Sequence, residues 1–297
     1  MLTWAMDSFT IKDLENLSGI KAHTIRVWEQ RFGLLKPKRT STNIRYYSNE
    51  ELKRILNIAL LNKYGFKISL IDRMSEDGLK EKILSLTHGD ALHDKVSNDM
   101  IHAMVDLDIE SFEDILDEQI RARGIEKTIL RIIFPFLERI GVLWLTNSIS
   151  PAQEHLISNA IRQKLIVGIE KANAHFQVPC TVMLYLPAGE HHELGLLFVS
   201  FLFKCKGVQL IYLGADVPLP DLEYVIKIKK PDYLYTHLTS TVRWAQMEKY
   251  IHRIALQYPQ LPQVISGRIV NKSTATKHAT VEYKQDFNEV MAFINAV

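Results

Sequence analysis

Two groups of side chains in this 297-residue chain are spaced for chemistry. The first is Glu190-His191-His192, with Gly189 before it and Gly195 after it. A carboxylate two residues ahead of a histidine can accept a hydrogen bond from one ring nitrogen. That orients the ring, raises its basicity and turns the other nitrogen toward a metal. His192 is the candidate metal ligand and Glu190 its orienting partner. Gly195 has no Cβ and lets a helix backbone come close to a large ligand. His191 and Glu193 are expected to face solvent. A hydrolytic zinc centre does not fit, because no second and third ligand is evident nearby. Glu-x-His has many chance matches, so the setting of the loop must decide its meaning.

The second group is basic. Between Lys21 and Arg45 stand seven lysines and arginines against one acid, Glu29, although the whole chain carries a net charge of only +2. Basic runs are a weak nucleic-acid signal by themselves. Their order along the chain carries more. Thr10 caps a helix from Ile11 to Leu17, Gly19 makes a turn, and a second helix runs from Ala22 to about Arg31, which is the helix-turn-helix pattern. Thr24, Arg26 and Arg31 on the second helix could reach bases or phosphates, with Trp28 packing or touching the backbone. Gly33 to Ser48 reads as a two-stranded wing with a basic tip, presenting Lys38, Arg39, Arg45 and Tyr47. Ser48 caps a further helix through Asn57. Basic wings suit phosphates, which position a protein without specifying sequence.

The elements around these groups fall into three regimes: 1–76, 77–176 and 177–297. The second shows only helical periodicity and reads as a bundle of four or five helices, one of them started by Ser150-Pro151. In the third, strands at Thr181–Leu186, Val208–Leu213, Asp232–Leu238 and Gln263–Ser266 alternate with helices. A last strand near Thr280 and a helix from Phe287 follow. This rhythm implies a doubly wound parallel sheet of flavodoxin-like type. The fold class is multidomain α and α/β. The Glu190–His192 loop follows the first strand, at the carboxyl edge where open parallel sheets bind ligands.

With 47% hydrophobic and 24% charged residues, the composition is that of a globular protein. Cys180 and Cys205 are far apart and suit a reduced compartment. The N-terminus has no signal-peptide pattern, and no apolar run reaches membrane-spanning length. A cytoplasmic protein without a membrane partner is expected.

The run Ala22-His23-Thr24-Ile25-Arg26-Val27-Trp28-Glu29, followed by Gly33 to Arg39 and Ile44 to Ser48, resembles the MerR family of regulators over Phe9 to about Ser75. The resemblance implies a dimer on duplex DNA with inverted half-sites, Arg26 and Arg45 on phosphates and Thr24 facing bases. The loop at Glu190, with Gly207 to Pro218 after it, resembles the cobalamin-binding domains of corrinoid proteins, whose motif is Asp-x-His-x-x-Gly. By that resemblance His192 is the lower cobalt ligand and the nucleotide tail threads into the sheet. The family's later motifs are altered, to Thr236–Thr241 (with Thr239 in the pocket) and to Ser266-Gly267. Trp144, nine residues, then Glu154-His155 resembles the signature of light-responsive cobalamin-dependent MerR regulators. There the bundle covers the upper corrin face, which places Trp144, Glu154 and His155 in the pocket. The histidine that often follows the tryptophan in that group is Leu145 here, and leucine cannot ligate a metal.

The resulting expectation is a DNA-binding regulator, not an enzyme and without catalytic residues. A cobalamin, adenosylcobalamin first among forms, gates its DNA binding or its assembly as a homo-oligomer, dimer or tetramer. Light is a candidate signal. One alternative keeps the regulator but gives its pocket to a protein or another small molecule. Another is a corrinoid methyl carrier, against which the fused DNA-binding segment argues.

Overall fold

The computed structural model describes residues 8–86, 89–145, 149–174, 176–239, 244–268, 270 and 278–297. The chain divides into two compact units, Met1–Ala160 and Ile161–Val297. The winged segment and most of the helical segment thus share one unit.

In the first unit, α1 (Ile11–Ser18) begins at a reciprocal cap. The Thr10 hydroxyl accepts from the Asp13 amide while the Asp13 carboxylate accepts from the Thr10 amide. Gly19, at φ +72°, ends the helix in the left-handed conformation that glycine takes without steric cost. Then come α2 (Ala22–Phe32) and the wing, β1 (Lys38–Arg39) paired antiparallel to β2 (Arg45–Tyr46). An isolated bridge between Phe9 and Tyr47 ties the wing to the start of the domain. Helix α3 (Asn49–Lys63) starts at Ser48 and continues past Asn57, because Ile58, Ala59, Leu60 and Leu61 are buried and extend its apolar face. After α4 (Ile68–Ile71) the bundle follows: α5 (Glu76–Leu84), α6 (Asp90–Val105), α7 (Ile109–Thr128), a π-helical turn (Ile129–Ile133), α8 (Phe134–Leu145) and α9 (Pro151–Lys171). Ser150 and Gln153 form the reciprocal cap of α9. No helix among the described residues is long and apolar enough to cross a membrane.

The second unit alternates β3 (Val178–Pro187), α10 (Leu194–Cys205), β4 (Val208–Val217), α11 (Leu219–Lys229), β5 (Tyr233–His237), α12 (Trp244–Gln257), β6 (Gln263–Ser266), β7 (Val281–Lys284) and α13 (Phe287–Ala296). All five strands are parallel, in the order β4-β3-β5-β6-β7. The order reverses between β3 and β5, and a crevice opens at the carboxyl edge of such a switch point. Val182 to Leu186 are fully buried, as a central strand covered on both faces requires. Strand β4 runs to Val217 and takes in Gly214 and Asp216, which the sequence pattern assigns to a loop. Both have positive φ, and the pairing with β3 shifts register there, so the strand end is irregular but still paired.

Candidate functional site

The loop between β3 and α10 is held from below. The Gly189 amide donates to Asp216 Oδ1 at 2.8 Å, the Glu190 amide to the Pro187 carbonyl at 3.0 Å, and the Asp216 amide to the Glu190 carbonyl at 3.2 Å. Glu190 is thereby drawn inward until it is 1% exposed. A buried carboxylate is costly unless it is fully hydrogen-bonded. Glu190 Oε1 accepts from the His192 amide at 2.9 Å and faces His192 Nδ1 at 2.7 Å, while Oε2 accepts from the Thr239 amide at 3.2 Å. The His192 ring, 60% exposed, is therefore anchored by Nδ1, and Nε2 is the nitrogen turned away from the carboxylate. This is the arrangement of a histidine prepared to ligate a metal through Nε2. Among the described residues no group of three or more His, Cys, Asp or Glu side chains could hold a metal ion by itself. A single protein nitrogen suits a metal that brings its own equatorial ligands, as the cobalt of a corrin does.

Asp216 and the Thr239 amide belong to this site through the tertiary fold. The Gly214-to-Pro218 run marks Asp216 in the sequence but gives no hint of its role. Glu193 is a correction. Instead of facing solvent it is 12% exposed, accepts from the Tyr212 hydroxyl at 2.9 Å and pairs with Arg162 at 2.7 Å. Strand β4 and the end of α9 close over it, and burial, with Glu193 beside it, pushes the Tyr212 pKa up. His191 is exposed, as expected.

Gly195 meets an unexpected neighbour. A Cβ there would lie 2.4 Å from Cδ2 and 2.5 Å from Nε2 of His237, at the end of β5. Gly267, at φ +106°, is equally constrained: a Cβ there would lie 2.3 Å from the Leu238 carbonyl oxygen. Gly267 thus lets the segment carrying Thr239 close over the end of β6.

In the first unit Glu154 accepts from Ser158 Oγ at 2.7 Å and lies 3.0 Å from Nδ1 of His155, whose side chain is 72% exposed. Trp144 and Leu145 lie on α8, but their side chains fall outside the described residues, and Ser240 and Thr241 lie outside them entirely.

The basic group is divided between α2 and the wing. Arg26 and Arg31 on α2 and Lys38 and Arg39 on β1 are exposed, and Thr24 is half-buried beside Arg26. Arg45 is half-buried and its Nε lies 3.2 Å from Glu29 Oε2. Trp28 and Tyr47 are not on the surface. Tyr47 is fully buried and its hydroxyl donates to Glu29 Oε1 at 3.3 Å. Glu29 therefore joins α2 to the wing through both Arg45 and Tyr47, and Trp28 is buried.

Two family models match parts of the chain, and it is similar to several known proteins. The MerR HTH family regulatory protein model matches residues 9–77, from the bridge at Phe9 into α5. The B12 binding domain model matches residues 96–167, from within α6 to within α9. The HTH-type transcriptional repressor CarH of Myxococcus xanthus is 26% identical over 276 residues, covering 88% of this chain and 89% of that protein. CarA, a second HTH-type transcriptional repressor of the same organism, is 28% identical over 302 aligned positions, covering 97% and 96%. The monomethylamine corrinoid protein of Methanosarcina barkeri shares the fold, with a TM-score of 0.52 at 13% identity over 69% of this chain and all of that one. With helix-turn-helix and wing in one unit and a parallel sheet in the other, the chain carries a segment matched by the MerR HTH family regulatory protein model and another matched by the B12 binding domain model, and over most of its length it is similar to the transcriptional repressors CarH and CarA.

Proposed function

We propose that the chain binds adenosylcobalamin through His192 and that the bound corrinoid governs its hold, as a homo-oligomer, on an operator with inverted half-sites. Repression is the proposed sign, since both full-length relatives are named repressors. The observation that carries the reading is the 2.7 Å contact between His192 Nδ1 and the buried Glu190 carboxylate. It costs burial of a charge and has its return in an oriented Nε2. Glu190, Gly195, Thr239 and Gly267 shape the ligand side of the sheet. Trp144, Glu154 and His155 are assigned to the upper ligand, and Thr24, Arg26, Arg31, Lys38, Arg39 and Arg45 to DNA. A regulator of this kind acts in the cytoplasm and needs no catalytic residue.

When bound, adenosylcobalamin supplies a cobalt–carbon bond that light breaks. A ligand can shift assembly only by its differential affinity for the two states, so the photoproduct must favour a different oligomer if light is to act. The test mixes pure protein with adenosylcobalamin in the dark and records spectra and operator gel shifts before and after illumination. The expected result is a bound corrin spectrum, a change on illumination and no stable bis-histidine product, since residue 145 is leucine. Leu145→His is expected to create that product. A stable bis-histidine product in the wild type would point instead to His155 or another bundle histidine.

A further inference from the structure

His237 is the last residue of β5, on the β5 side of the point where the strand order reverses. Its imidazole rests on the bare backbone of Gly195 so closely that residue 195 has no room for a methyl group. The ring is fixed from behind. Its Nδ1 lies 2.9 Å from Ser266 Oγ, which lies 2.6 Å from the buried hydroxyl of Tyr235. Burial pushes its pKa down to about 4, against the opposing pull of Glu190, so the ring is neutral at physiological pH. The chain just beyond it is also held: the Leu238 amide donates to the Ser266 carbonyl at 2.8 Å, Gly267 packs on the Leu238 backbone, and the Thr239 amide reaches Glu190. The carboxylate that orients His192, in the loop after β3, is therefore tied to the chain just beyond His237 at the end of β5.

The consequence for the ligand rests on the cobalamin reading above. Cobalamin carries a benzimidazole nucleotide tethered to its lower face. A protein histidine on the lower side of cobalt displaces that base, which must then be housed beside the histidine. Open parallel sheets bind ligands at the switch point, and Gly195 lies in the first turn of α10, directly after the loop that leaves β3 there. We infer that His237 is a size filter on the corrinoid: by filling the space over Gly195 it disfavours a bulky lower nucleotide and favours corrinoids whose lower base is small or absent. A serine or smaller residue at 237 would leave that space open.

The experiment compares wild type, His237→Ala and His237→Asn, the last able to keep a hydrogen bond to Ser266 should the alanine variant fold poorly. Each full-length protein is titrated in the dark with adenosylcobalamin and with adenosylcobinamide, which lacks the nucleotide. In the wild type the cobinamide is expected to bind at least as tightly as the cobalamin. Removing the ring should raise cobalamin affinity about 10- to 100-fold, the range expected when an overfilled site is relieved, and leave cobinamide affinity nearly unchanged. A second readout needs no ligand. Gly195→Ala should lower the melting temperature sharply in the wild type and much less in His237→Ala. An unaltered ratio of the two affinities, or equal losses of melting temperature in both backgrounds, would overturn the filter while leaving cobalamin binding intact. Failure of folded wild type to bind either corrinoid would overturn the cobalamin reading and the filter with it.

Discussion

Glu190 accepts from three nitrogens while almost wholly removed from water, and two of the three belong to His192. The carboxylate thus ties the orientation of that imidazole to the chain at Thr239. His192→Ala removes the nitrogen proposed to face the metal and is expected to abolish most cobalamin binding. Glu190→Gln keeps the size and one acceptor oxygen, and should weaken binding about 10- to 100-fold, as losses behind a ligating histidine do. Spectral titration measures both, and electron spin resonance of the reduced complex should show one protein nitrogen on cobalt in the wild type and none in His192→Ala. Absence of that nitrogen in the wild type would remove His192 from its role. The neighbouring Glu193 makes no such contact. With Tyr212 and Arg162 it fixes the start of α10, so Glu193→Gln should affect stability more than the spectrum.

At the scale of elements, α2 and the wing act as one body because Glu29 on α2 is shared by Arg45 and Tyr47. Two arginines assigned to phosphates therefore differ in their second duty. Arg26 is exposed, and Arg26→Ala should weaken DNA binding on any sequence and reduce the steepness of the salt dependence by about one unit, without loss of stability. Arg45→Ala should do the same and also lower the melting temperature, since it leaves Glu29, 7% exposed, without its cation. Fluorescence anisotropy over a salt series, with thermal melts of the free proteins, separates the two. Wild-type affinity in both variants would exclude this face as the DNA surface. Thr24→Ala should change which duplexes are preferred more than the overall affinity.

Across the first unit, one guanidinium joins the winged segment to the bundle. Arg139 on α8 donates to the Leu17 carbonyl at the end of α1 at 2.8 Å, to Asn98 Oδ1 at 3.0 Å and to Ser97 Oγ at 2.9 Å. Asn98 in turn donates to the Leu56 carbonyl of α3 at 3.2 Å. Burial pulls the Arg139 pKa down from its usual value, and the three acceptors are neutral. Arg139→Met keeps the bulk but strips α1 of its acceptor's partner. It should cost ~1–3 kcal/mol of stability, the usual penalty for leaving buried polar groups unmade. Chemical denaturation checks this, and an unchanged midpoint would show that the contact contributes nothing. In the second unit the ordinary histidine pKa of 6.5 falls to about 4 at His237 through burial. The unfolded chain therefore takes up a proton as pH drops below about 6.5, while the folded unit resists until about 4. Stability from this residue is complete above that window and is lost on acidification through it, by ~1–3 kcal/mol in all. Urea midpoints at pH 7.5, 6.5 and 5.5 should fall, and His237→Gln should flatten the fall. In the first unit the same trend is blunted. There burial drives His102 down to about 4 but raises Asp99 to about 6, and the two have opposite signs.

Much of this was decided by local sequence. The Thr10 cap, the Gly19 turn, the Ser48 and Ser150 caps and the βα alternation from Val178 onward depend on residues within a few positions of each other. Chain order therefore reveals them without knowledge of the fold. The pairing of Glu190 with His192 is local too, two residues apart on one loop. What the sequence could not reveal rests on contacts between distant segments. Tyr47 and Trp28 carry groups able to touch DNA, yet the wing folds Tyr47 inward onto Glu29, eighteen residues away. Glu193 is polar and beside a loop, yet β4 and α9 close over it. Gly214 and Asp216 read as a turn, but sheet pairing carries the strand through them. The third acceptor contact of Glu190 comes from residue 239, and the neighbour that demands glycine at 195 is residue 237. Parallel strands bring these together only through crossovers of dozens of residues, so no short-range pattern encodes them. The sequence by itself determined the caps, turns and βα alternation that present the candidate residues, because each rests on near neighbours in the chain; the tertiary structure alone decided which of those residues face solvent, and which distant segments pack beside the loop that carries His192.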